Sequence, residues 1–184
     1  MMKSNMEVRT KLRNLVLYVL AHQDYQEGGI KKLNKLLYFI DFYFYRDHER
    51  LISGAEYAKA DMGPILNDYR DIFKELESAG DLKCQTAEGM TVCTALKTAE
   101  LSGFTPQEVD HVSRVLDRYG KLSGRDLELI SHQQQPWVLT ENFGDIIDPD
   151  LALLIEDDAG DSETSIIKNS KLKEELQDLA NCAE

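Results

Sequence analysis

The chain has 184 residues, about the length of one domain with a short extension, and its 42% hydrophobic and 29% charged residues are typical of a soluble globular protein. With 21 basic and 33 acidic residues the net charge is −12, which argues against a protein that coats nucleic acid or anionic membranes. Three cysteines do not suit a secreted disulfide scaffold, and the chain shows neither a signal peptide nor a membrane-spanning apolar stretch. These features predict a cytoplasmic protein with reduced thiols.

The excess negative charge is concentrated at the C-terminal end. Residues 141–184 contain 13 acidic and 3 basic residues, a net of −10, whereas residues 1–50 have a net charge of +3. We therefore divide the chain into a helical domain over residues 1–156 and an acidic linker with a C-terminal amphipathic helix over residues 157–184. The apolar face of that last helix includes Leu172, Leu176 and Leu179.

Two long helices are predicted in the first 50 residues. Apolar residues recur at steps of three and four from Val8 to Val19, and Gly28-Gly29 ends this pattern. A second apolar stripe runs from Ile30 to Phe44. This second helix is unusually aromatic, and aromatic residues all round a helix indicate burial on more than one side. Its aromatic residues are Tyr38, Phe39, Phe42, Tyr43, Phe44 and Tyr45.

A third helix and a β-hairpin follow a less regular stretch over residues 51–62. Gly63-Pro64 is predicted to begin the helix, because proline suits the first helical position, and Gly80 fits the left-handed residue just past its end. The hairpin lies near residues 82–97, with Glu88-Gly89 as its turn signal.

Two hairpin registers remain open. A three-residue loop would bury Leu82 against Leu96, and we favour it for that reason. A two-residue loop would instead place Cys84 opposite Cys93, where the two could form a disulfide.

Capping residues predict where the later helices begin. Thr105 and Glu108 form a capping box with proline between them, and Ser123 with Asp126 repeats the same logic for a short helix. Asp148-Pro149 predicts one more helix start. The fold class is therefore mainly α with a small β-hairpin (α+β), a compact helical domain with an acidic C-terminal tail.

No catalytic or metal-binding motif is present in the sequence, so we expect neither an enzyme nor a cofactor. His48 could join a divalent metal site with Asp41, but a solvated helix end explains it better. His132 with one of the cysteines could make a nucleophile–base pair, which we also do not favour.

The helix–hairpin order over residues 64–97 resembles a winged helix, yet the helix offers only Arg70 and Lys74 against four acidic residues. DNA binding through this element is therefore not expected. A regulator that binds DNA would make better use of the lysines of the second helix, which are Lys31, Lys32 and Lys35.

Four short patterns occur together in one order. They are Lys32-Leu33-x-Lys35-Leu36-Leu37-Tyr38, Gly63-Pro64-Ile65, Tyr119-Gly120-x-x-Ser123 and Ser131-His132-x-x-x-Pro136-Trp137. In combination they resemble the Panacea antitoxin domain, also called SocA-like and often phage-associated, over roughly residues 10–140. Met62 stands where an aromatic residue is expected before Gly-Pro.

The resemblance implies a mostly helical, non-enzymatic protein that binds a toxin. It also implies that the motif residues either build the fold or contact a partner. Trp137 is then either an anchor in the core or an aromatic residue that binds a partner. We call these the motif residues: Lys35, Tyr38, Gly63, Pro64, Tyr119, His132, Pro136 and Trp137.

We expect an antitoxin that binds its cognate toxin, with residues 156–184 as a toxin-contacting segment; a solvated tail is the alternative. A DNA-binding regulator and an adaptor that delivers the toxin to a protease are the other functions considered, and a homodimer is an open alternative. The residues expected to contact the toxin are Glu156, Asp157, Asp158, Leu172, Leu176 and Leu179.

Overall fold

The computed structural model of the chain describes residues 5–25 and 28–156. They form a mainly helical α+β domain with two small antiparallel sheets, which confirms the predicted fold class. No described helix is long and apolar enough to cross a membrane. The helices are α1 (Asn5–Ala21), α2 (Ile30–His48), α3 (Tyr69–Ser78), α4 (Pro106–Tyr119), α5 (Gly124–His132) and α6 (Gln135–Leu139). The strands are β1 (Tyr57–Ala58), β2 (Ile65–Leu66), β3 (Leu82–Ala87) and β4 (Met90–Ala95), and 3₁₀ helices span Leu101–Gly103 and Pro149–Leu154, the latter called the C-terminal 3₁₀ helix.

Helix α2 is the centre of the domain. Twelve of its 19 residues are buried, and α1, α4, α5, β2, β4 and the C-terminal 3₁₀ helix all contact it. Phe39 packs on Tyr119 of α4 with ring centroids 5.0 Å apart, while Phe42 packs on Tyr57 of β1 at 5.7 Å. The aromatic residues of α2 are therefore covered from several directions, as their distribution around the helix predicts.

The favoured register of the β-hairpin is wrong. Glu88 and Gly89 form a two-residue turn, Leu82 lies opposite Ala95, and Leu96 is 60% exposed. Both turn residues have positive φ, at 51° and 79°, which matches the type I′ turn that two-residue hairpins prefer.

The two-residue turn has a consequence for the cysteines. Cys84 faces Cys93 across the strands, with Cα atoms 4.0 Å apart, and the structure joins them in a disulfide. The expectation of reduced thiols is therefore wrong for this pair. The candidate pairing of His132 with Cys84 or Cys93 as nucleophile is wrong too, because a disulfide sulfur cannot act as a thiolate.

The third helix begins later than the sequence predicts. Gly63-Pro64 leads into strand β2, which pairs with β1, and α3 starts only at Tyr69. The backbone amide of Leu66 donates to the Asn34 side chain of α2 at 2.9 Å, and the Leu66 side chain is fully buried. These long-range contacts hold the segment extended, although proline alone favours a helix start.

The predicted caps are confirmed. The Glu108 amide donates to the Thr105 hydroxyl at 3.2 Å, and the Thr105 amide donates to the Glu108 carboxylate at 2.9 Å. The Asp126 amide likewise donates to the Ser123 hydroxyl at 3.1 Å. Gly80 has the expected positive φ of 66° after α3. The start at Asp148-Pro149 exists, but it opens a 3₁₀ helix.

The division of the chain at residue 156 stays a prediction. Glu156 is the last described residue, and it is exposed. The predicted C-terminal amphipathic helix, including Asp157, Asp158, Leu172, Leu176 and Leu179, lies outside the described residues.

Candidate partner-binding site

Three motif segments that are distant in sequence meet at Gly63. A Cβ atom added to Gly63 would lie 2.7 Å from the Ser131 hydroxyl of α5 and 3.0 Å from Cε of Lys35 on α2. Gly63 also has a φ of 96°, which side chains with a Cβ rarely adopt. Glycine is therefore required here both for the backbone conformation and for the close approach of two side chains.

Lys35 is a buried cation at this junction. Its side chain is 1% exposed. Burial lowers the pKa of Lys35 to about 8; the Glu128 carboxylate opposes this shift and the Lys31 charge adds to it. The motif thus contains a charge that destabilises the folded domain.

Two motif residues stack at the end of the same segment. The rings of His132 and Trp137 lie 4.0 Å apart at an interplanar angle of 21°. The Trp137 indole N–H donates to the Ala60 carbonyl at 3.2 Å, and the Lys59 ammonium lies 4.4 Å from the Trp137 ring centroid. Trp137 is half-buried, so it both anchors α6 on the β1–β2 loop and reaches the surface.

The two motif tyrosines belong to the core. Tyr38 is fully buried and packs on Phe42, with ring centroids 4.3 Å apart. The Tyr119 ring stacks on Tyr43 at an angle of 5°, and their hydroxyl oxygens are 2.9 Å apart. Pro64 and Pro136 are buried as well. Most of the motif residues therefore build the domain, and a partner can reach them only at the half-buried His132–Trp137 stack.

An exposed apolar surface continues from Trp137. It comprises side chains of α6, of the loop after it and of the C-terminal 3₁₀ helix, and we call it the C-terminal patch. The patch residues, with their exposed fractions, are Val138 (48%), Leu139 (50%), Phe143 (62%), Ile146 (45%), Leu153 (51%) and Leu154 (50%). No motif in the sequence marks this surface; the one signal for it is the density of apolar residues after Trp137 outside any helical period.

The described residues offer no convincing metal site. The ligand atoms of His22, Asp24 and Asp117 lie within 4.8 Å of one another, but the Lys121 ammonium is already 2.7 Å from the Asp24 carboxylate. The Nδ1 atom of His22 also accepts from the Asp24 amide at 3.3 Å, so its lone pair is engaged.

The His48–Asp41 metal pair considered from the sequence is not assembled. Asp41 is fully buried and accepts hydrogen bonds from the Ser53 amide at 2.8 Å and the Tyr57 hydroxyl at 2.7 Å. His48 is 3.2 Å from the Gln107 side chain instead.

A cleft of about 830 Å³ lies between α1 and α3, away from the motif residues. Arg9 and Glu75 form an ion pair across it, and Asp81 on its wall binds Arg13 and Lys97. These charged groups of the cleft therefore already have partners within the chain.

The described residues thus form a mainly helical domain with a group of exposed apolar side chains next to Trp137. The family model of the antitoxin SocA-like, Panacea domain matches residues 33–138, and the chain belongs to this family. Members of this antitoxin family are typically not enzymes. No curated protein and no solved structure matches the chain.

Replacing Gly63 by Ala is expected to destabilise the domain by about 2 kcal/mol. The new Cβ would lie too close to the Ser131 hydroxyl, and alanine would also have to adopt a positive φ. Gly144→Ala is the matched control: its φ is 92°, but a Cβ there meets nothing within 4 Å. We expect about 1 kcal/mol for the control. Urea unfolding of both variants measures the difference in stability. Equal losses would show that the close approach of the new Cβ to Ser131 costs nothing.

Proposed function

We propose that the chain neutralises its cognate toxin by direct protein–protein binding. The observation that carries the proposal is membership of an antitoxin family, because this implies a toxin as partner. Two observations support a binding role over a catalytic one. Cys84 and Cys93 are joined in a disulfide and so are not free to act as nucleophiles, and the His132 ring is stacked on Trp137.

Residues 156–184 are proposed to take part in toxin contact, with Leu172, Leu176 and Leu179 as apolar anchors and Glu156, Asp157 and Asp158 as acidic contacts. Many toxins act on RNA, nucleotides or ribosomes and carry basic or phosphate-binding surfaces, and an acidic segment raises the rate of association with such a surface.

Binding to DNA through α2 is disfavoured by the burial of its lysines. Lys32 is 3% exposed and Lys35 is 1% exposed, so only Lys31 of the three is available to a phosphate backbone. A single exposed lysine gives little of the electrostatic attraction on which DNA binding depends.

Co-expression tests the proposal. Each gene that flanks this one is induced in a bacterial host with and without the chain, and we expect one flanking gene to halt growth and the chain to restore it. If no flanking product is neutralised, the proposed function is wrong. The amount of toxin separates two mechanisms: it stays constant if the chain masks the toxin and falls if the chain delivers it to a protease.

Deleting residues 157–184 is expected to abolish this rescue. A full-length variant with Leu172, Leu176 and Leu179 changed to Ser should lose it as well, which separates the loss of contacts from the loss of chain length. Circular dichroism of both proteins checks that the helical domain is retained. Full protection by the truncated chain would remove the acidic segment from the proposal and leave direct binding in place.

A further inference from the structure

The C-terminal patch is held in place by backbone hydrogen bonds. The amide of Gly144 donates to the Lys59 carbonyl at 2.8 Å, and the Lys59 amide donates to the Asp145 carbonyl at 2.9 Å. The Ile147 amide donates to the Tyr57 carbonyl at 2.8 Å, which ties the loop to β1. Helix α6 and the C-terminal 3₁₀ helix also contact each other directly. The exposed apolar side chains therefore sit on an ordered backbone, and binding them costs little conformational entropy.

Exposed acidic residues alternate in sequence with the residues of the patch. The segment from Val138 to Glu156 contains five acidic residues and no lysine or arginine. All five are exposed, and we call them the acidic rim: Glu141, Asp145, Asp148, Asp150 and Glu156. One cation lies at the edge of the patch: the Lys59 ammonium is 4.4 Å from the Trp137 ring centroid and 5.9 Å from that of Phe143, and it donates to the Thr140 carbonyl at 2.6 Å. The segment that carries the patch thus combines exposed apolar side chains with exposed acidic ones.

We propose that the C-terminal patch is the docking surface of the folded domain for the cognate toxin, and that it receives an apolar element of the toxin bordered by lysine or arginine. This inference rests on the proposed function and names the surface and the chemistry of the partner. Burial of the patch supplies the affinity, whereas the acidic rim steers the encounter and selects a basic partner.

The charges disfavour two other occupants. Residues 157–184 contain eight acidic and three basic residues, a net of −5, so the acidic rim repels the chain's own C-terminal segment. A second copy that used the same patch would bring two acidic rims together, and juxtaposed like charges at an interface are unfavourable.

The double variant Leu139→Ser/Phe143→Ser tests the apolar centre in the full-length chain. Both side chains are at least half exposed, so their removal leaves the core intact. We expect the dissociation constant for the purified toxin, the flanking-gene product that halts growth, to rise at least tenfold and rescue to fail. The matched control is Met90→Ser/Leu96→Ser in the hairpin, whose side chains are 54% and 60% exposed. The control is expected to bind as the wild type does.

The double variant Glu141→Lys/Glu156→Lys tests the acidic rim. We expect the association rate with the same toxin to fall about tenfold at low salt and its dependence on salt to flatten. An association rate equal to that of the wild type at low salt would overturn the role of the rim.

The outcomes separate this inference from the proposed function. If the wild type neutralises a toxin and the Leu139/Phe143 variant does so equally well, the patch is not the docking surface, while the proposed function stands. If the wild type binds no flanking toxin, both are wrong. If light scattering shows that the wild type is a dimer and the Leu139/Phe143 variant a monomer, the patch joins two copies and the inference is overturned.

Discussion

Replacing Glu108 by Ala is expected to lower the free energy of unfolding by about 2–3 kcal/mol, because the variant loses hydrogen bonds to a buried carboxylate, while the Arg50 side chain left behind is 45% exposed. The Glu108 side chain is 0% exposed. Its carboxylate accepts from the Lys11 ammonium of α1 at 2.8 Å, from the Thr105 amide at 2.9 Å and from Arg50 after α2. One carboxylate thus joins α1, the end of α2 and the start of α4, and its removal leaves two cations without their acceptor.

The matched control for this prediction is Asp110→Ala, two residues further along α4. Asp110 is also paired, with Arg114 at 3.3 Å, but the two side chains are 70% and 66% exposed. We expect the control to change stability by less than about 0.5 kcal/mol. Urea unfolding at pH 7 measures both variants, and a similar small loss for the two would contradict the view that Glu108 holds the three segments together.

The wild-type contribution of Glu108 should also depend on pH. Burial raises the pKa of the Glu108 carboxyl, but the bonds from Lys11, from the Thr105 amide and from Arg50 outweigh it and leave the pKa below its usual value. The stabilisation is therefore present above the pKa of the unfolded chain and is lost as the pH falls through the folded pKa. Acidification should therefore reduce the difference in stability between the wild type and the Glu108 variant.

Local signals predicted the parts of the fold that depend on neighbours in sequence. The Thr105–Glu108 capping box and the positive φ of Gly80 are both confirmed, because each is a matter of one helix end. The aromatic stretch of α2 correctly predicted burial on several sides. A family resemblance based on four short motifs is confirmed by the match over residues 33–138.

Strand β2 and the hairpin register were not predicted correctly from the sequence. Residues 65–66 became a strand because Asn34 and β1 bind that segment, and neither partner is close in sequence. The hairpin register followed the backbone conformation of Glu88, a non-glycine residue with positive φ, rather than the burial of Leu82 against Leu96.

The candidate site was predicted only in part for the same reason. The motif pointed to Lys35, Gly63 and Trp137, and the structure places Lys35 against Gly63. The C-terminal patch carries no motif, since its residues are apolar side chains that the fold happens not to cover. Exposure is a property of the whole domain, so the density of apolar residues after Trp137 could not show by itself that they lie at the surface.

Replacing Lys35 by Met is expected to stabilise the domain by about 3 kcal/mol at pH 7. Burial lowers the pKa of Lys35 from 10.5 to about 8, and each unit corresponds to about 1.4 kcal/mol between the two protonation states. Methionine has nearly the same length and no charge to desolvate. The control is Lys31→Met one turn earlier, where the lysine is exposed and the change should be within about 0.5 kcal/mol.

The stability gained by the Lys35→Met variant should depend on pH. Between pH 8 and 10.5 the unfolded chain holds a proton on Lys35 that the folded chain has released, so the wild type gains stability as the pH rises. The advantage of the Met variant should therefore be full below pH 8 and vanish above pH 10.5. Urea unfolding at pH 7, 9 and 10.5 measures it, and a Met variant less stable than the wild type at pH 7 would show that the ammonium has a stabilising partner.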